Sequence, residues 1–556
     1  MKKYYIILIL IAVISCRDIL DKEPLDGPSD VTFLRTQDEL TIAINGLYNN
    51  LWFHSISATG QWEYVLDCVT DISWDRNGSF FTAAGNGSLS STDASVEQTW
   101  EHLYAGIARS NFILQHIERV EGATAEEIDQ AIGQARFLRA YWYSQLVMLW
   151  GDVPLVTEIQ DLEASKVSRT PKDQVVDFLL SELEMAAEEL PPSWGESETG
   201  RVTSGAALAL RSRVALAAGR YAVAASSAQA VMDLNQYELY PNYRELFQYA
   251  GESSNETIFE VQYQYGIEDH RMSYSVGSRN SRCTSTKVPT QSMVDSYESI
   301  DGLPIDESPL YDPANPFENR DPRLKQSIAT PGDVFLGFQF ETHRDSVECW
   351  NYNVDPPVRI PNQDALNPYA SFTGYCWKKM ADPIDYPDNR NNSSLNFMLI
   401  RYAEVLLNYA EAKIELNEID QSCLDAINEV RGRESVAMPP IASGKSQSEM
   451  REIIRRERKV ELALEGHRLQ DIRRWGIAED VMDGALYGRP NEDYGYADLG
   501  TPVIDENGNP DYGLVDYTDK LRVVEIRSFN PNRDYLWPIP QKDIDTNDQL
   551  VQNTDY

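Results

Sequence analysis

The segment from Phe397 to Trp475 constrains the fold most, because it contains four successive helical patterns. In the first of these patterns, apolar residues recur at helical spacing and form one stripe that has to be buried. The stripe consists of Leu399, Tyr402, Ala403, Leu406, Ala410 and Ile414. A second helix is expected over Gln421 to Arg431 with Gly432 as its C-terminal cap, and a third begins at Ser446.

Three carboxylates lie within or at the edge of the apolar stripe of the third helix: Glu457, Glu461 and Glu465. An unpaired carboxylate is costly there, so we predict a structural network of ion pairs with arginines of the flanking helices. The candidates are Arg431, Arg433, Arg468, Arg473 and Arg474. The alternative is that Glu457 and Glu461 act as a catalytic acid and base with separated pKa values. The arginine surplus favours the structural network, since it keeps carboxylates ionised.

Several long motifs follow one another in a fixed order along the chain. They occupy residues 139–143, 150–155, 319–324, 400–413, 427–431, 457–466, 471–476, 537–540 and 552–553. In this order they closely resemble the SusD/RagB family of outer-membrane nutrient-binding lipoproteins. The ending departs slightly, because the family usually closes Asn-Pro-Gly-Tyr and this chain closes Asn-Thr-Asp-Tyr at residues 553–556.

The resemblance implies a mainly α fold with tetratricopeptide-like helices on one side and an irregular, loop-rich α+β lobe on the other. It implies capture of an oligosaccharide at the cell surface and its delivery to a TonB-dependent SusC-like outer-membrane transporter, which the helices contact. No reaction is catalysed and no cofactor is required in such a protein. The alternative within the family is a RagB-like protein that captures peptides.

The N-terminus has the pattern of a lipoprotein signal. A basic start precedes an apolar run from Tyr4 to Ile14, which is too short to span a membrane permanently and ends at Ser15-Cys16. We therefore expect a signal peptide over residues 1–15, acylation of Cys16 and a polar tether over residues 16–30. The alternative is an ordinary signal peptide followed by a free thiol.

Residues 31–556 contain no Gly/Ser-rich or Pro-rich linker and are expected to form one large unit. Helical patterns place the scaffold mainly in residues 31–250 and 397–485, with caps at Thr36, Thr124 and Thr170. Two Ala-rich helices, Ser204 to Ala218 and Tyr221 to Leu234, fit the roughly 34-residue tetratricopeptide unit. The irregular lobe, rich in Pro, Gly, Asn and aromatics, covers mainly residues 252–396 and is the expected ligand-binding region.

Composition excludes several function classes. A formal net charge of −38 disfavours nucleic acid as a ligand and leaves the lipid as the means of membrane attachment. No nucleophile elbow, phosphate-binding loop or zinc motif occurs, so we expect neither an enzyme nor a metal site.

The run from Asp505 to Asp511 imitates a calcium loop but is better interpreted as a turn at Asn507-Gly508. Apart from Cys16 the five cysteines exclude a disulfide framework, although one bridge between Cys349 and Cys376 is permitted.

Aromatic side chains among polar residues are the remaining functional signal. Sugar rings pack their C–H faces on aromatic rings, while their hydroxyl groups pair with acidic, amide and guanidinium groups. The chain has 11 Trp and 30 Tyr, and three loops combine the two kinds of residue. The predicted ligand-binding residues are Asp67, Asp71, Trp74, Arg76 and Asn77, then Tyr274 and Arg279, then Trp350 and Tyr352. Trp74 in particular is expected outside the core, because its neighbours are polar.

Overall fold

The computed structural model describes residues 33–53, 60–78, 80–161, 164–513 and 519–556. Within these ranges the chain forms 19 α-helices and 14 short β-strands, so the fold is mainly α, as predicted. The signal peptide, Cys16 and the tether lie outside the described residues. No helix within the described ranges is both long enough and apolar enough to cross a membrane.

The helices are distributed over the whole described chain, and the longest lie in its N-terminal half. In chain order they are α1 (Gln37–Tyr48), α2 (Trp62–Leu66), α3 (Thr82–Asn86), α4 (Ala94–His116), α5 (Ala125–Trp150), α6 (Lys172–Glu189), α7 (Ser204–Ala217), α8 (Tyr221–Asp233), α9 (Tyr243–Leu246), α10 (Met272–Val276), α11 (Gln291–Asp295), α12 (Arg323–Ser327), α13 (Gln363–Leu366), α14 (Tyr402–Glu415), α15 (Gln421–Arg431), α16 (Gln447–Glu461), α17 (Arg468–Arg474), α18 (Ala478–Met482) and α19 (Gln541–Thr546).

Neighbouring helices pack successively into one scaffold. Helix α5 contacts α4 and α6, and α7 contacts α6 and α8. Helix α8 then packs against α14, which in turn contacts α15 and α16. This contact joins the two helical parts of the chain across the irregular lobe. Small side chains such as Ala224 and Ala228 on α8 and Ala410 on α14 are fully buried, which allows close approach of the helices.

The strands form small antiparallel sheets. They are β1 (Ser73–Asp75), β2 (Thr257–Val261), β3 (Lys287–Pro289), β4 (Ile328–Ala329), β5 (Val334–Phe335), β6 (Phe338–Gln339), β7 (Glu348–Asn351), β8 (Val358–Pro361), β9 (Cys376–Trp377), β10 (Phe397–Arg401), β11 (Gly484–Pro490), β12 (Val503–Ile504), β13 (Pro510–Asp511) and β14 (Leu521–Arg527). Strands β5 to β8 form a four-stranded sheet in sequence order; the pairs are β1–β3, β2–β10, β4–β9, β11–β14 and β12–β13. Strands β2 to β9 lie within residues 252–396, the part of the chain that was expected to be irregular.

The capping signals in the sequence are realised in the structure. Capping boxes at Thr36, Thr124 and Ser446 begin α1, α5 and α16. In each of them a hydroxyl accepts the N–H of a glutamate three residues on, whose carboxylate accepts the N–H of the cap. Gly151, with φ +75°, ends α5. The cap expected at Thr170 is wrong by one residue, because Pro171 precedes α6 and the Thr170 backbone pairs with Val153.

Two expected helix boundaries in the C-terminal segment are wrong. Phe397–Arg401 is strand β10, paired with β2, and α14 begins only at Tyr402. All five strand residues are buried, so this stretch lacks the polar face of an amphipathic helix. Helix α16 ends at Glu461, and Leu464 beyond it has φ +59°. Glu465 therefore belongs to the loop that follows the helix.

The five cysteines in the described residues are all buried and free, so the permitted bridge between Cys349 and Cys376 does not form. Residues 505–509 form the turn that joins β12 to β13, and Pro510 and Asp511 belong to β13. Gly508 there has φ +76°, and Asp505 accepts the backbone N–H of Asn507 and Asn509 at 2.8 Å each. The interpretation as a turn is confirmed.

Candidate functional site

A buried network of ion pairs surrounds α16. Its cations are Arg323, Lys379, Arg401, Arg431, Arg433 and Arg456. Its carboxylates are Glu256, Glu298, Asp321, Glu457, Glu461 and Glu465. The six positive and six negative charges balance, so burying the group leaves no charge uncompensated. The predicted structural role of the three glutamates is consistent with these contacts.

Glu461 is the centre of this network. Its Oε1 lies 2.8 Å from Nη1 of Arg401 and 2.9 Å from Nη2 of Arg433, and its Oε2 lies 2.9 Å from Nη1 of Arg323. Burial alone raises the pKa of this carboxyl, but the charges of Arg433, Arg401 and Arg323 outweigh burial and hold it well below the ordinary value. Glu457 is ionised in the same way by Arg323 and Arg431, which lower its pKa against the effect of burial.

These pKa directions argue against the alternative of a catalytic acid and base at Glu457 and Glu461. A general acid needs a raised pKa and access to substrate. Both carboxyl groups have lowered pKa values, and their side chains are 2% and 0% exposed.

Three of the predicted network arginines bond elsewhere, and one of them, Arg473, donates to the Asp534 carbonyl oxygen at 3.0 Å. Arg468 binds Asp71 through its Nε at 2.8 Å, and Arg474 binds Asp471 at 2.8 Å and also Glu411. The important partners that sequence reasoning missed are Arg323 and Arg401, which reach Glu461 from outside the helices flanking α16. Their only signal was membership of the resembling motifs at residues 319–324 and 400–413.

Asp67 and Asp71 are engaged inside the protein and are not available to a ligand. Asp67 is fully buried and accepts the backbone N–H of Gly466 at 2.9 Å and of Arg468 at 3.2 Å. Burial raises the pKa of Asp67 to about 7 despite these hydrogen bonds. Asp71 pairs with Arg468 and, at 3.0 Å, with Lys459. The sequence-based assignment of both carboxylates to the ligand site is therefore wrong for this conformation.

Trp74 is also buried, with 8% of its surface exposed. It lies on β1, which pairs with β3, and its ring stacks on Phe372 with centroids 5.9 Å apart. Val288 and Leu486 complete this small apolar cluster. The expectation that Trp74 stands outside a core is wrong, because its acidic neighbours are neutralised by cations from distant parts of the chain; Asp75, for example, binds Lys287.

Arg76 and Arg279 meet at an exposed aromatic residue that the sequence did not single out, Tyr369. Nε of Arg279 donates to the Tyr369 carbonyl oxygen at 2.8 Å, and Nη1 of Arg76 donates to the same oxygen. The Arg76 guanidinium lies 5.5 Å from the centroid of the Tyr369 ring and 5.4 Å from that of Phe372. The Tyr369 side chain is 64% exposed. We call this group, Arg76, Arg279 and Tyr369, the arginine–tyrosine cluster.

Hydrogen bonds from buried and half-buried groups hold the loops that form the cluster. Nη2 of Arg76 donates to the Thr284 carbonyl at 3.1 Å. Asp364, at the start of α13, accepts the backbone N–H of Arg279 at 2.6 Å and a side-chain N–H of Asn280, also at 2.6 Å. Burial raises the pKa of Asp364 to about 6, and these N–H donors oppose that rise. The connection from β8 to β9, which includes Tyr369, is thus anchored to the loop after α10.

The remaining predicted residues occupy different places on the lobe. Asn77 is exposed next to Arg76, and Tyr274 is half-buried with its carbonyl accepting the Thr284 N–H at 2.9 Å. Trp350 and Tyr352 are 37% and 44% exposed, at β7 and directly after it. The guanidinium of Arg359, on the paired strand β8, lies 5.4 Å from the Trp350 ring. No described contact joins Trp350 or Tyr352 to the arginine–tyrosine cluster.

Two cavities in the described part of the chain are lined by none of the predicted ligand residues. One of about 740 Å³ lies beside α4 and α19, and one of about 610 Å³ lies between α5, α14 and α17. Among the described residues no group of three or more His, Cys, Asp and Glu side chains is placed to hold a metal ion.

Tyr369 was missed because it follows Asn367-Pro368 in a short turn, where a single tyrosine has no periodic pattern to mark it. The signal available was its position inside the Pro- and Asn-rich stretch already chosen as the search area. Its exposure depends on the packing of the lobe.

Comparison with known proteins places this architecture. A family model described as the SusD family matches residues 246–556, and one described as "Starch-binding associating with outer membrane" matches residues 18–216. SusD-like protein P25 of Formosa agariphila is 26% identical over 510 residues, covering 86% of this chain and 91% of that protein. A SusD-like protein of Bacteroides ovatus is 24% identical over 596 residues, covering 96% and 94%.

Solved structures show the same fold. A SusD-like carbohydrate binding protein of Bacteroides fragilis superposes with a TM-score of 0.81 at 29% identity, covering 94% of this chain and all of that one. A laminarin binding SusD-like protein superposes with a TM-score of 0.64 at 20% identity, covering 94% and 100%, and supports the fold alone. Since the match to the first family model spans more than half of the sequence, this chain belongs to the SusD family.

Proposed function

We propose that this protein is a cell-surface lipoprotein that captures oligosaccharides and delivers them to a TonB-dependent SusC-like outer-membrane transporter. The observation that carries the proposal is the arginine–tyrosine cluster. It presents an exposed aromatic ring beside two guanidinium groups that reach it from separate loops. The description of the Bacteroides fragilis relative as a carbohydrate binding protein supports the same class of ligand.

The cluster has the chemistry of a sugar-binding surface. The Tyr369 ring offers an apolar face to the C–H groups of a pyranose, and the guanidinium groups offer donors to its hydroxyl oxygens. The neighbouring carboxylates are already engaged, Asp75 by Lys287 and Asp364 by the loop N–H groups. These two carboxylates are therefore not free to act as an acid and a base on a glycosidic bond, and we propose binding without hydrolysis.

Calorimetric titration of the chain beginning after Cys16 tests this function. The ligand panel contains neutral and acidic oligosaccharides and a peptide mixture. Tyr369→Ala should abolish saturable heat with one glycan class. Tyr494→Ala, which removes another partly exposed tyrosine (37%), should leave the heat unchanged. Heat only with peptides would favour the RagB-like alternative, and absence of heat with every ligand would contradict the proposal.

The membrane attachment forms a separate part of the proposal. We place the lipid on Cys16, and we assign the transporter contact to the helical scaffold formed by α4 to α8. Cys16→Ser should move the protein from the membrane fraction to the soluble fraction in its native host. A protein that stays with the membrane after this change would contradict the anchor, and failure to co-purify with a transporter would contradict the partnership.

A further inference from the structure

Four arginines gather on the face of the lobe that contains Tyr369, and none of them forms an ion pair within the described ranges. They are Arg76, Arg279, Arg282 and Arg390. Many arginines elsewhere in the described chain, such as Arg323 and Arg433, are instead matched to carboxylates in buried networks. In a chain with 87 acidic and 49 basic residues, four unmatched guanidinium groups on one face need an explanation.

Hydrogen bonds connect the chain segments that carry the four arginines. Arg76 and Arg279 share the Tyr369 carbonyl oxygen, and the backbone N–H of Arg282 donates to the Arg279 carbonyl at 2.9 Å. Nε of Arg390 donates to the Arg282 carbonyl at 3.2 Å. Burial raises the pKa of the Cys283 thiol, and the positive charges of Arg390 and Arg279 both oppose this rise. We call these four residues the arginine patch.

The patch retains donors that the protein does not use. Nε of Arg76 is buried and has no hydrogen-bond partner. Arg279 uses only its Nε among its side-chain nitrogens in the contacts described, which leaves both of its Nη groups for a ligand. Burial, followed by the charge of Arg279, lowers the pKa of Arg76, so the two cations oppose each other in the absence of an anion.

Carboxylates near the patch do not neutralise it. Asp75 is committed to Lys287, and Asp364 lies beneath the loop with its oxygens on backbone and amide N–H groups. Asp388 is exposed two residues before Arg390 and forms no described ion pair with it. None of these three carboxylates therefore forms a described ion pair with an arginine of the patch.

We infer that the arginine patch recognises an oxyanion on the captured sugar, either the carboxylate of a uronic acid or a sulfate ester. This inference rests on the proposed glycan-binding function and names its substrate class. Planar guanidinium groups bind carboxylate and sulfate oxygens through paired N–H donors, which a neutral hydroxyl group cannot match. Tyr369 then supports the sugar ring while the patch selects its charge.

The test compares each acidic oligosaccharide with its own neutral derivative by calorimetry. One pair is an oligogalacturonate and its methyl ester, and the other is a sulfated galactan oligosaccharide and its desulfated form. We expect at least one acidic member to bind about tenfold or more tightly than its partner, with affinity that falls as sodium chloride rises from about 50 to about 500 mM. The two pairs distinguish carboxylate from sulfate.

Variants locate the charge selection. Arg279→Gln should reduce the preference for the acidic member by about tenfold, and Arg279→Lys should restore part of it, because the charge remains. Arg344→Gln is the control; this exposed arginine of the same lobe pairs with Asp493 and should leave the preference unchanged. Circular dichroism on every variant excludes loss of folding as the cause.

The outcomes separate this inference from the proposed function. Equal binding of acidic and neutral members would overturn the inference and leave glycan capture intact, as would an acid preference that Arg279→Gln does not change. The protein could also bind an unrelated neutral glycan and no member of either pair. This result would likewise overturn the inference and leave glycan capture intact. Absence of binding to every glycan would contradict both proposals.

Discussion

Replacing Glu461 with glutamine tests the argument that the buried ion network has no net charge. The substitution keeps the size of the side chain and removes one negative charge. Glu461 touches Arg323, Arg401 and Arg433 at 2.8–2.9 Å and is 0% exposed. The glutamine amide also turns an N–H₂ group toward one of these donors. The network would then contain six cations and five carboxylates without access to water.

The expected cost follows from the loss of one partner in a buried pair, which is about 3–5 kcal/mol. The remaining carboxylates limit the loss, because Arg323 keeps Asp321 and Glu457, and Arg401 keeps Glu256 and Glu465. We therefore expect the free energy of unfolding to fall by about 3 kcal/mol at neutral pH. Urea unfolding followed by tryptophan fluorescence measures this change.

The pH dependence gives an independent check. The folded-state pKa of Glu461 lies below its ordinary value of 4.5, so the unfolded chain binds the proton more tightly. The stability that this carboxylate contributes is present above its unfolded pKa and is lost as the pH falls through the acid range. Wild-type protein should therefore lose stability more steeply below about pH 4.5 than the glutamine variant does.

Glu452→Gln is the matched control, because Glu452 lies on the same helix, α16, and forms no described ion pair. It should change the free energy of unfolding by no more than about 0.5 kcal/mol. Two results would refute the assignment of Glu461 to a charge-balanced network. One is that Glu461→Gln unfolds at the same urea concentration as the wild type, and the other is that the wild type and Glu461→Gln lose equal stability in acid.

Three further substitutions test other parts of the structure, each by urea unfolding. Trp74→Ala should lower the free energy of unfolding by about 3–5 kcal/mol, because it leaves a cavity in the cluster formed with Phe372, Val288 and Leu486. Unchanged stability together with loss of ligand binding would contradict this assignment of Trp74 to packing. Gly466→Ala should lower the free energy of unfolding by about 3 kcal/mol, because Gly466 has φ +82° and a Cβ there would lie 2.5 Å from the Glu63 carbonyl oxygen. Gly444→Ala is its control and should lower the free energy of unfolding less, because Gly444 has φ +89° but open space around it. Burial raises the pKa of Glu63 from 4.5 to about 7, so the stability contributed by the protonated carboxyl is lost as the pH rises from about 4.5 to about 7. Glu63→Gln should flatten the pH dependence of the free energy of unfolding in this range, and an unaltered slope would show that Glu63 ionises normally.

Local interactions account for the parts of the fold that the sequence predicted well. The capping boxes at Thr36, Thr124 and Ser446 join residues three positions apart, so the sequence contains both partners. The boundaries of α15 follow from its apolar spacing and agree with the prediction. The strand Phe397–Arg401 was missed because its residues are buried by a partner strand more than 130 positions earlier.

The candidate site was predicted only in part, for the same reason. Arg76 and Arg279 were chosen from their local composition, and both reach the surface cluster. Asp67, Asp71 and Trp74 were chosen on the same grounds and are buried, because their partners Gly466, Arg468 and Phe372 lie hundreds of residues away. Residue type alone does not distinguish a buried polar pair from an exposed one.

The sequence by itself determined the helical periods, the caps, the acidic surface and the motifs that resemble the SusD/RagB family. Only the tertiary structure decided which charges meet. Arg401 and Glu461 are 60 positions apart, and Arg76 and Tyr369 are 293 apart. Many arginines and carboxylates have the same pairing chemistry, so the partner of each is set by where the packed helices and strands bring it. That packing leaves the arginine patch partly exposed and without a described ion pair, and it encloses the network around Glu461 with its charges balanced.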